Sequence, residues 1–331
     1  MRIAVNGFGR VGRVFTRIAL ERGLEVVAVN DVTDAATLAH LLAHDSTYGR
    51  LRGRVEHADD ALIVDGRKIA VFAQRDPEQL PWSQLGVDLV IESTGKFRTG
   101  PLAAAHLEAG ARKVLISAPA KGAVDVTVVM GVNQDDYDPA HHHVISNASC
   151  TTNCAAPMVD VLHRHFGLVR GFLTTIHGYT NDQQLLDGPH KDLRRARAAA
   201  LNVIPTSTGA AKAIGLVIPQ TAGLLDGIAV RVPVPTGSLV DLAAVLARPA
   251  TPAEINAAFA HDAEERLRGI VRVSDEPLVS TDIVGDPASC VLDGALTQSS
   301  GELVKVFGWY DNEWGYTERL ADLAEYVGAR L

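Results

Sequence analysis

Ile3-Ala4-Val5-Asn6-Gly7-Phe8-Gly9-Arg10-Val11-Gly12 is the stretch on which the reading of this chain turns. Three apolar residues make a short buried-strand run, and Gly7, Gly9 and Gly12 follow in G-x-G-x-x-G spacing. Val14, Ile18 and Ala19 continue as a helical pattern up to Gly23, and a second strand run, Glu25 to Val29, ends at Asn30-Asp31. A lone G-x-G-x-x-G is a weak signal; strand, helix, strand and terminal acid in this order make it a strong one. The glycines let backbone approach a pyrophosphate, and the helix N-terminus offers unpaired N–H groups with a partial positive charge. Asp31 is placed to accept hydrogen bonds from the adenosine ribose hydroxyls. Its carboxylate repels a 2′-phosphate, and Val32, Thr33 and Asp34 follow it rather than an arginine, so NAD is favoured over NADP.

Working outward, further strand runs appear at Leu62–Val64, Ile69–Val71, Leu89–Ile91, Val114–Ile116 and Val126–Val129. A helical pattern, Pro101 to Ala109, alternates with them, with Pro at its start and Gly110 after its end. Such alternation predicts a mostly parallel sheet covered on both faces, with ligands at the C-terminal strand ends. Ser93-Thr94-Gly95 and Ser117-Ala118-Pro119 directly follow two of the strands; from the residues alone each reads only as a turn. After residue 165 the strand runs lengthen and look antiparallel: Val169–His177, Gly227–Pro233, Ser238–Ala247 and Leu303–Tyr310. Helical patterns lie at 208–218 and 252–267, and Thr317 to Leu331 reads as an amphipathic helix. The fold class expected is α/β: a Rossmann-type nucleotide domain with a mostly parallel sheet, plus an α+β catalytic domain with a mostly antiparallel sheet.

A length of 331 residues suits about two domains, and 47% hydrophobic with 21% charged residues is ordinary globular composition. The net charge of −8 argues against nucleic-acid binding, and no apolar run reaches membrane-spanning length. Three cysteines and no signal-peptide pattern imply no disulfide framework and point to a reducing cytoplasm. His141-His142-His143 lacks companion ligands at zinc spacing and reads as loop residues, so no metal is expected; His163 and His165 read as helix-surface residues.

Two motifs carry the chemistry. In Ser146-Asn147-Ala148-Ser149-Cys150-Thr151-Thr152-Asn153-Cys154 a cysteine stands where the strand Val144-Ile145 gives way to a helix-like run, Cys154 to Phe166. The positive end of the helix dipole favours a thiolate there, and first-turn N–H groups can stabilise an oxyanion. Thr174-Thr175-Ile176-His177-Gly178-Tyr179-Thr180-Asn181-Asp182 supplies a candidate base, His177, beside polar turn residues. Cys154, four residues after Cys150, reads as a packed helix residue, and Cys290 as structural. The run from Gly188 to Ala200 holds Lys191, Arg194, Arg195 and Arg197, and arginine suits phosphate. Arg197 reads as a solvated charge.

These motifs, together with Pro205-Thr206-Ser207-Thr208-Gly209-Ala210-Ala211-Lys212, Arg231-Val232-Pro233 and Trp309-Tyr310-Asp311-Asn312-Glu313, resemble the phosphorylating, bacterial-like glyceraldehyde-3-phosphate dehydrogenases, from Asn6 to Tyr316. The resemblance implies an NAD-binding domain of residues 1–149 and 313–331 and a catalytic domain of residues 150–312. It implies Cys150 as nucleophile and His177 as base. Asn6, Gly7, Gly9, Arg10, Val11, Asp31, Arg75, Thr94, Gly95, Ser117 and Asn312 would contact NAD, Asn312 holding the nicotinamide carboxamide. Thr180, Asp182 and Arg231 would bind the substrate phosphate. Ser149, Thr151, Thr208, Gly209 and one of Arg194 or Arg195 would bind the attacking phosphate; for Thr208 a helix N-cap role can hold as well.

The activity implied is oxidation and phosphorylation of glyceraldehyde 3-phosphate to 1,3-bisphosphoglycerate through a Cys150 thioester, in a cytoplasmic homotetramer. Rival readings are erythrose-4-phosphate oxidation on the same scaffold and a non-catalytic binding or redox-sensing protein. Two positions depart from the family pattern. Gly178 stands where serine or alanine is usual and Ala155 where many members have leucine, which raises the expectation of an isoform tolerant of an electrophilic inhibitor.

Overall fold

In the computed structural model, which describes residues 1–331, the chain divides into two units. One comprises Met1–Val128, Gln134–Ala148 and Thr317–Leu331; the other comprises Val129–Asn133 and Ser149–Tyr316.

The first unit is built on β1 (Arg2–Asn6), α1 (Arg10–Arg22), β2 (Glu25–Asn30) and α2 (Ala35–Ala43). A small two-stranded pair, β3 (His44–Asp45) and β4 (Gly49–Arg50), leads to β5 (Val55–Ala58), β6 (Ala61–Val64) and β7 (Arg67–Phe72). Next come α3 (Trp82–Leu85), β8 (Leu89–Glu92), α4 (Gly100–Glu108), β9 (Lys113–Ile116), β10 (Val126–Thr127) and β11 (Val144–Ser146). The nine-stranded sheet has the order β10-β11-β9-β8-β1-β2-β7-β6-β5. From β10 to β7 every pairing is parallel; β7-β6 and β6-β5 are antiparallel. Parallel strands are covered on both faces, and β8 and β9 are accordingly buried at every position. Ile3, Val5, Val90, Ile91 and Leu115 are fully enclosed, each worth about 1.5–3 kcal/mol of burial. The sheet order reverses at β1, whose neighbours are β2 and β8, and such a switch point opens a crevice at the strand C-termini.

The second unit begins with α5 (Cys150–Phe166), then β12 (Leu168–Gly178), β13 (Ile204–Ser207), α6 (Ala210–Val217), β14 (Leu225–Val232) and β15 (Ser238–Leu246). It continues with α7 (Pro252–Glu264), β16 (Val271–Ser274), β17 (Cys290–Asp293), β18 (Gln298–Ser300) and β19 (Leu303–Tyr310). Its sheet runs β13-β14-β12-β15-β19-β17-β16, with β18 beside β19. The pairings are mostly antiparallel, but β12 and β14 run parallel, as do β16 and β17. The mostly antiparallel sheet expected from the sequence is present, with β12-β14 and β16-β17 as its parallel exceptions. The excursion between β12 and β14 carries β13 and α6, room enough for a crossover that returns the chain in the same direction. β15 alternates buried and half-buried residues along its whole length, as a strand with two unlike faces should.

Helix boundaries moved for local reasons. α5 begins at Cys150 rather than Cys154, because Ser149 caps it through a hydrogen bond from the Thr152 N–H. α6 is capped by Gly209, not Thr208, although the Thr208 hydroxyl accepts from the Ala210 N–H. α7 starts in a reciprocal box between Thr251 and Glu254. The last helix, α8 (Trp314–Gly328), begins in the second unit and runs into the first, where Arg22 of α1 pairs with Glu318, Asp322 and Glu325. No helix is long and apolar enough to cross a membrane.

Candidate functional site

The turn from β11 into α5 sets the reactive cysteine. Ala148 takes φ +55°, a left-handed conformation that costs an L-residue roughly 1–2 kcal/mol, and Cys150 follows as the first helical residue. Its Sγ lies 3.3 Å from Nε2 of His177, which stands near the end of β12. The other ring nitrogen of His177, Nδ1, is 2.7 Å from the Gly178 carbonyl oxygen and 2.9 Å from Nη1 of Arg231. Register explains the last contact, since His177 and Arg231 face each other across the parallel β12-β14 pair.

Burial, and then the neighbouring Arg231 cation, push His177 down to about 3, so the ring is neutral at physiological pH. The Cys150 thiol is pushed up by burial; the Arg231 charge and hydrogen bonds from the Thr151 backbone and side chain pull the other way without cancelling it. This corrects the expectation of a ready thiolate: the helix N-terminus does not outweigh desolvation, and the resting pair is thiol and imidazole. Thr151 is buried and shares a hydrogen bond with the Tyr310 hydroxyl at 2.9 Å, which also meets Thr175 at 2.8 Å. Tyr310 therefore underlies the cysteine, a contact that sequence reasoning missed because Thr151 and Tyr310 lie far apart in the chain.

A polar cluster continues from Arg231. Its Nη1 donates to the Thr180 hydroxyl at 3.0 Å, Thr180 donates to Asp182, and Arg195 donates to Asp182 at 2.6 Å. Arg195 also reaches the Thr206 hydroxyl at 2.9 Å and the Ser207 carbonyl at 3.3 Å. Burial works against the Asp182 carboxylate, but the Thr180 hydrogen bond and the two guanidiniums hold it below the usual range. Arg231 Nε is buried without a hydrogen-bond partner, a donor suited to an anion's oxygen. The two phosphate sets expected from sequence are therefore linked by the Arg195–Asp182 pair. Arg194 is exposed; its backbone N–H donates to Asp192 and its carbonyl accepts from the Arg197 N–H. Arg197 pairs with Asp187 at the surface. A Cβ on Gly209 would meet nothing within 4 Å, so the start of α6 is open to a ligand. Ser149 has its Oγ engaged by Thr152.

Cys154 and Cys290 are fully buried, and Cys154 Sγ lies 3.6 Å from the Gly308 carbonyl oxygen. Neither faces an acid–base partner like His177. Asn312 has its amide oxygen held by the hydroxyls of Thr236, at 3.2 Å, and Ser238, at 2.6 Å, which leaves the NH2 as its donor toward a ligand. In the histidine run His141 and His143 are exposed, as loop residues should be, and His142 is half-buried. Lys113 donates to the Pro139 and His142 carbonyls, and the Asp138 N–H donates to His142 Nδ1. His165 pairs with Asp262, while His163 is partly buried on α5. No group of three His, Cys, Asp or Glu side chains gathers as a metal site.

In the first unit a crevice of about 240 Å³ opens at the ends of β1, β2, β7 and β8. Asn6, Gly7, Gly9, Asp31, Arg75 and Thr94, named above as cofactor-binding candidates, line it, with Asn30, Val32, Gln74, Ser93, Lys96 and Phe97. Gly7 has φ +91°, and a Cβ there would stand 2.6 Å from the Thr94 backbone nitrogen. A Cβ on Gly12 would lie 2.2 Å from the Gly7 carbonyl oxygen, while Gly9 has nothing within 4 Å. Two glycines thus allow close packing and one leaves the helix end open; α1 has no side-chain cap and no acid in its first turn. That is a fit for a pyrophosphate. Asp31 accepts from the Phe8 and Val32 N–H groups, each at 2.7 Å, so it also pins the glycine turn. Arg10 pairs with Asp45 and stacks on Tyr48. Gly95 has φ +72°, Val11 is the second residue of α1, and the Ser117 N–H donates to the Glu92 carbonyl. Ser117, Val11, Arg10 and Gly95 do not line this crevice.

Comparison with known proteins agrees along the whole chain. The family model described as glyceraldehyde 3-phosphate dehydrogenase, NAD binding domain, matches residues 1–100, and that described as the C-terminal domain matches residues 149–312. Among curated relatives, a glyceraldehyde-3-phosphate dehydrogenase of Streptomyces coelicolor is 58% identical over 335 residues, covering 100% of this chain and 99% of the relative. That of Geobacillus stearothermophilus is 57% identical over 332 residues, and glyceraldehyde-3-phosphate dehydrogenase 2 of Streptomyces arenae is 57% identical over 333 residues. Both alignments cover 100% of this chain and 99% of the relative.

Proposed function

We propose, from the premise that the chain belongs to the glyceraldehyde-3-phosphate dehydrogenase family and is an NAD-dependent oxidoreductase, that it converts glyceraldehyde 3-phosphate and inorganic phosphate to 1,3-bisphosphoglycerate through a thioester on Cys150. The observation that carries the reading is the 3.3 Å contact between Cys150 Sγ and His177 Nε2 beside the Arg231 guanidinium.

Cys150 gives its proton up as its sulfur bonds to the aldehyde carbon, forming a hemithioacetal. A neutral His177 is in the protonation state needed to take the thiol proton through Nε2, return it to the oxyanion to give the hemithioacetal hydroxyl, and take it again as the hydride leaves. N–H groups of the first turn of α5 support the developing oxyanion. Bound NAD would supply the acceptor for the hydride lost from that carbon. Asn6, Gly7, Gly9, Arg10, Val11, Asp31, Arg75, Thr94, Gly95 and Ser117 would hold it, with Asn312 donating its NH2 to the nicotinamide carboxamide. The resulting thioester keeps an electrophilic carbonyl, which phosphate attacks, expelling Cys150 as thiolate.

Arg231, Thr180 and Asp182 bind the substrate phosphate in this reading. Arg195, Thr208, Gly209, Ser149 and Thr151 serve the attacking phosphate, and the geometry favours Arg195 over Arg194 because only Arg195 reaches into the Asp182 and Thr206 cluster. The domain boundary is proposed as residues 1–149 and 313–331 for NAD and 150–312 for catalysis. A homotetramer is proposed as well, supported by the exposed apolar side chains of Leu185, Leu186, Leu193, Leu201 and Val203 in and around the arginine-bearing segment. Light scattering of the purified protein tests it. The compartment proposed is the cytoplasm, where the three free cysteines stay reduced.

The test of the reaction is NADH formation from glyceraldehyde 3-phosphate and NAD, with and without phosphate, in the parent and in Cys150→Ser. Phosphate-dependent turnover lost in the variant is the expected result. Turnover indifferent to phosphate would move the reading to hydrolytic erythrose-4-phosphate oxidation, and intact NAD binding without turnover would move it to a binding or sensing role. A narrower proposal is inhibitor tolerance, supported by the small side chains at Gly178, beside His177, and at Ala155, fully buried on α5.

A further inference from the structure

Beneath the dinucleotide crevice lies a chain of buried polar groups that sequence reasoning did not single out. Glu92, at the end of β8, and His106, on α4, are at most 1% exposed, and so is Trp82 of α3. The indole Nε1–H of Trp82 can only donate, and it lies 3.0 Å from His106 Nδ1. Nδ1 is therefore the acceptor, and the ring proton sits on Nε2, 3.2 Å from Glu92 Oε2. The same Oε2 accepts from Asn6 Nδ2 at 2.6 Å. The other carboxylate oxygen, Oε1, accepts from the Thr94 N–H at 2.8 Å and the Thr94 hydroxyl at 2.5 Å.

Asn6 is fixed from its other side as well, its Oδ1 accepting from Asn30 Nδ2 at 2.7 Å. Asn30 in turn exchanges two hydrogen bonds with the backbone of Gln74. Asn6, Asn30, Gln74 and Thr94 all line the crevice; His106 and Trp82 do not. Four donors converge on one buried carboxylate, and each is thereby oriented. Thr94 spends its hydroxyl proton on Glu92 and accepts from the Lys96 N–H at 3.1 Å, so toward a ligand its oxygen offers one remaining lone pair. That hydroxyl can accept from a sugar hydroxyl and has no proton to give a phosphate oxygen.

We propose that Glu92, held by His106 and Trp82, is the positioning residue that sets the hydrogen-bond polarity of the NAD crevice by orienting Asn6 and Thr94. The inference rests on NAD being the ligand of that crevice. Glu92→Gln keeps the shape and replaces one acceptor by an NH2. That NH2 must face either the two Thr94 donors or the Asn6 and His106 donors, so one side of the network has to turn over.

The experiment is NAD titration by calorimetry on the parent, Glu92→Gln, His106→Leu and His106→Gln proteins, with steady-state kinetics and iodoacetamide alkylation of Cys150 alongside. Glu92→Gln and His106→Leu are expected to raise the NAD Kd about tenfold or more, with KM for NAD rising in step and kcat at saturating NAD within about twofold. The alkylation rate should hold. His106→Gln, which still offers an acceptor to Trp82 and a donor to Glu92, should stay within about threefold of the parent. NAD affinity unchanged in Glu92→Gln would overturn the proposal, as would kcat and alkylation falling together with affinity, the mark of general disruption. A parent that binds no NAD would overturn the cofactor reading and this proposal with it; a parent that binds beside a Glu92→Gln variant that binds equally would overturn the proposal alone.

Discussion

Nη1 of Arg231 stands 2.9 Å from Nδ1 of His177. A fixed cation at one ring nitrogen, added to burial, makes a second positive charge on the imidazole costly, and His177 is lowered to about 3. In the unfolded chain the same side chain titrates near its ordinary value of about 6.5. Between those values the unfolded chain binds a proton that the folded one refuses. The stability contributed by the neutral ring is thus present above about pH 6.5 and is lost as pH falls toward 3, at up to about 1.4 kcal/mol per pH unit. Urea unfolding at pH 7 and pH 5 should show the parent losing about 2 kcal/mol more than His177→Asn over that interval. Equal losses in the two proteins would contradict the buried neutral ring.

The same guanidinium acts on Cys150 with the opposite benefit, since it lowers a thiol that burial raises. Alkylation by iodoacetamide should follow a thiolate whose midpoint lies above the ordinary thiol value. Removing the cation in Arg231→Gln should move that midpoint further up and slow alkylation at neutral pH. A midpoint that fell in the variant would show that Arg231 does not support the thiolate.

Arg194 and Arg195 are adjacent in sequence and unlike in place. Arg195 donates to Asp182 and Thr206, whereas Arg194 is exposed. Arg195→Ala is expected to raise KM for inorganic phosphate by about tenfold or more, consistent with about 1.5–3 kcal/mol for a charged hydrogen bond. Arg194→Ala should remain within about threefold of the parent. Steady-state phosphate titrations decide it, and the reverse ranking would move the phosphate role to Arg194.

Gly178 has little room for a side chain. A Cβ there would stand 3.0 Å from the Val234 carbonyl oxygen and 3.2 Å from the Thr236 Cα. That carbonyl accepts the Tyr179 N–H, so yielding would disturb the turn that leads to Thr180. Gly178→Ser should cost about 1–3 kcal/mol of stability by thermal unfolding. Combined with Ala155→Leu, it should change the rate at which thiol-directed epoxides inactivate Cys150. An unchanged rate would remove the ground for calling this an inhibitor-tolerant isoform.

Much of the nucleotide unit was legible because its signals are local. The β1-α1-β2 run shows its period, its glycines and its acid within Ile3 to Asp31, and the structure follows it closely. The catalytic unit was less so. Nothing in the composition of β12 and β14 says that they run parallel, because direction is settled by the β13-α6 excursion between them. Cys150 and His177 could be named from their motifs, but the protonation balance between them depends on burial and on Arg231, which register rather than sequence proximity brings close. Tyr310 under Thr151, and Trp82 behind His106, were invisible for the same reason: each partner is ordinary in its own segment.

The Arg22 clamp on Glu318, Asp322 and Glu325 has a consequence for biosynthesis. Most of the nucleotide-binding unit leaves a ribosome before the second unit, yet it needs residues made after the whole of that unit. Vectorial folding, which ordinarily finishes domains in the order they are synthesised, must here leave the earlier one open at the face where α8 docks. For the time it takes to translate some 170 residues, Arg22 waits for its three acids.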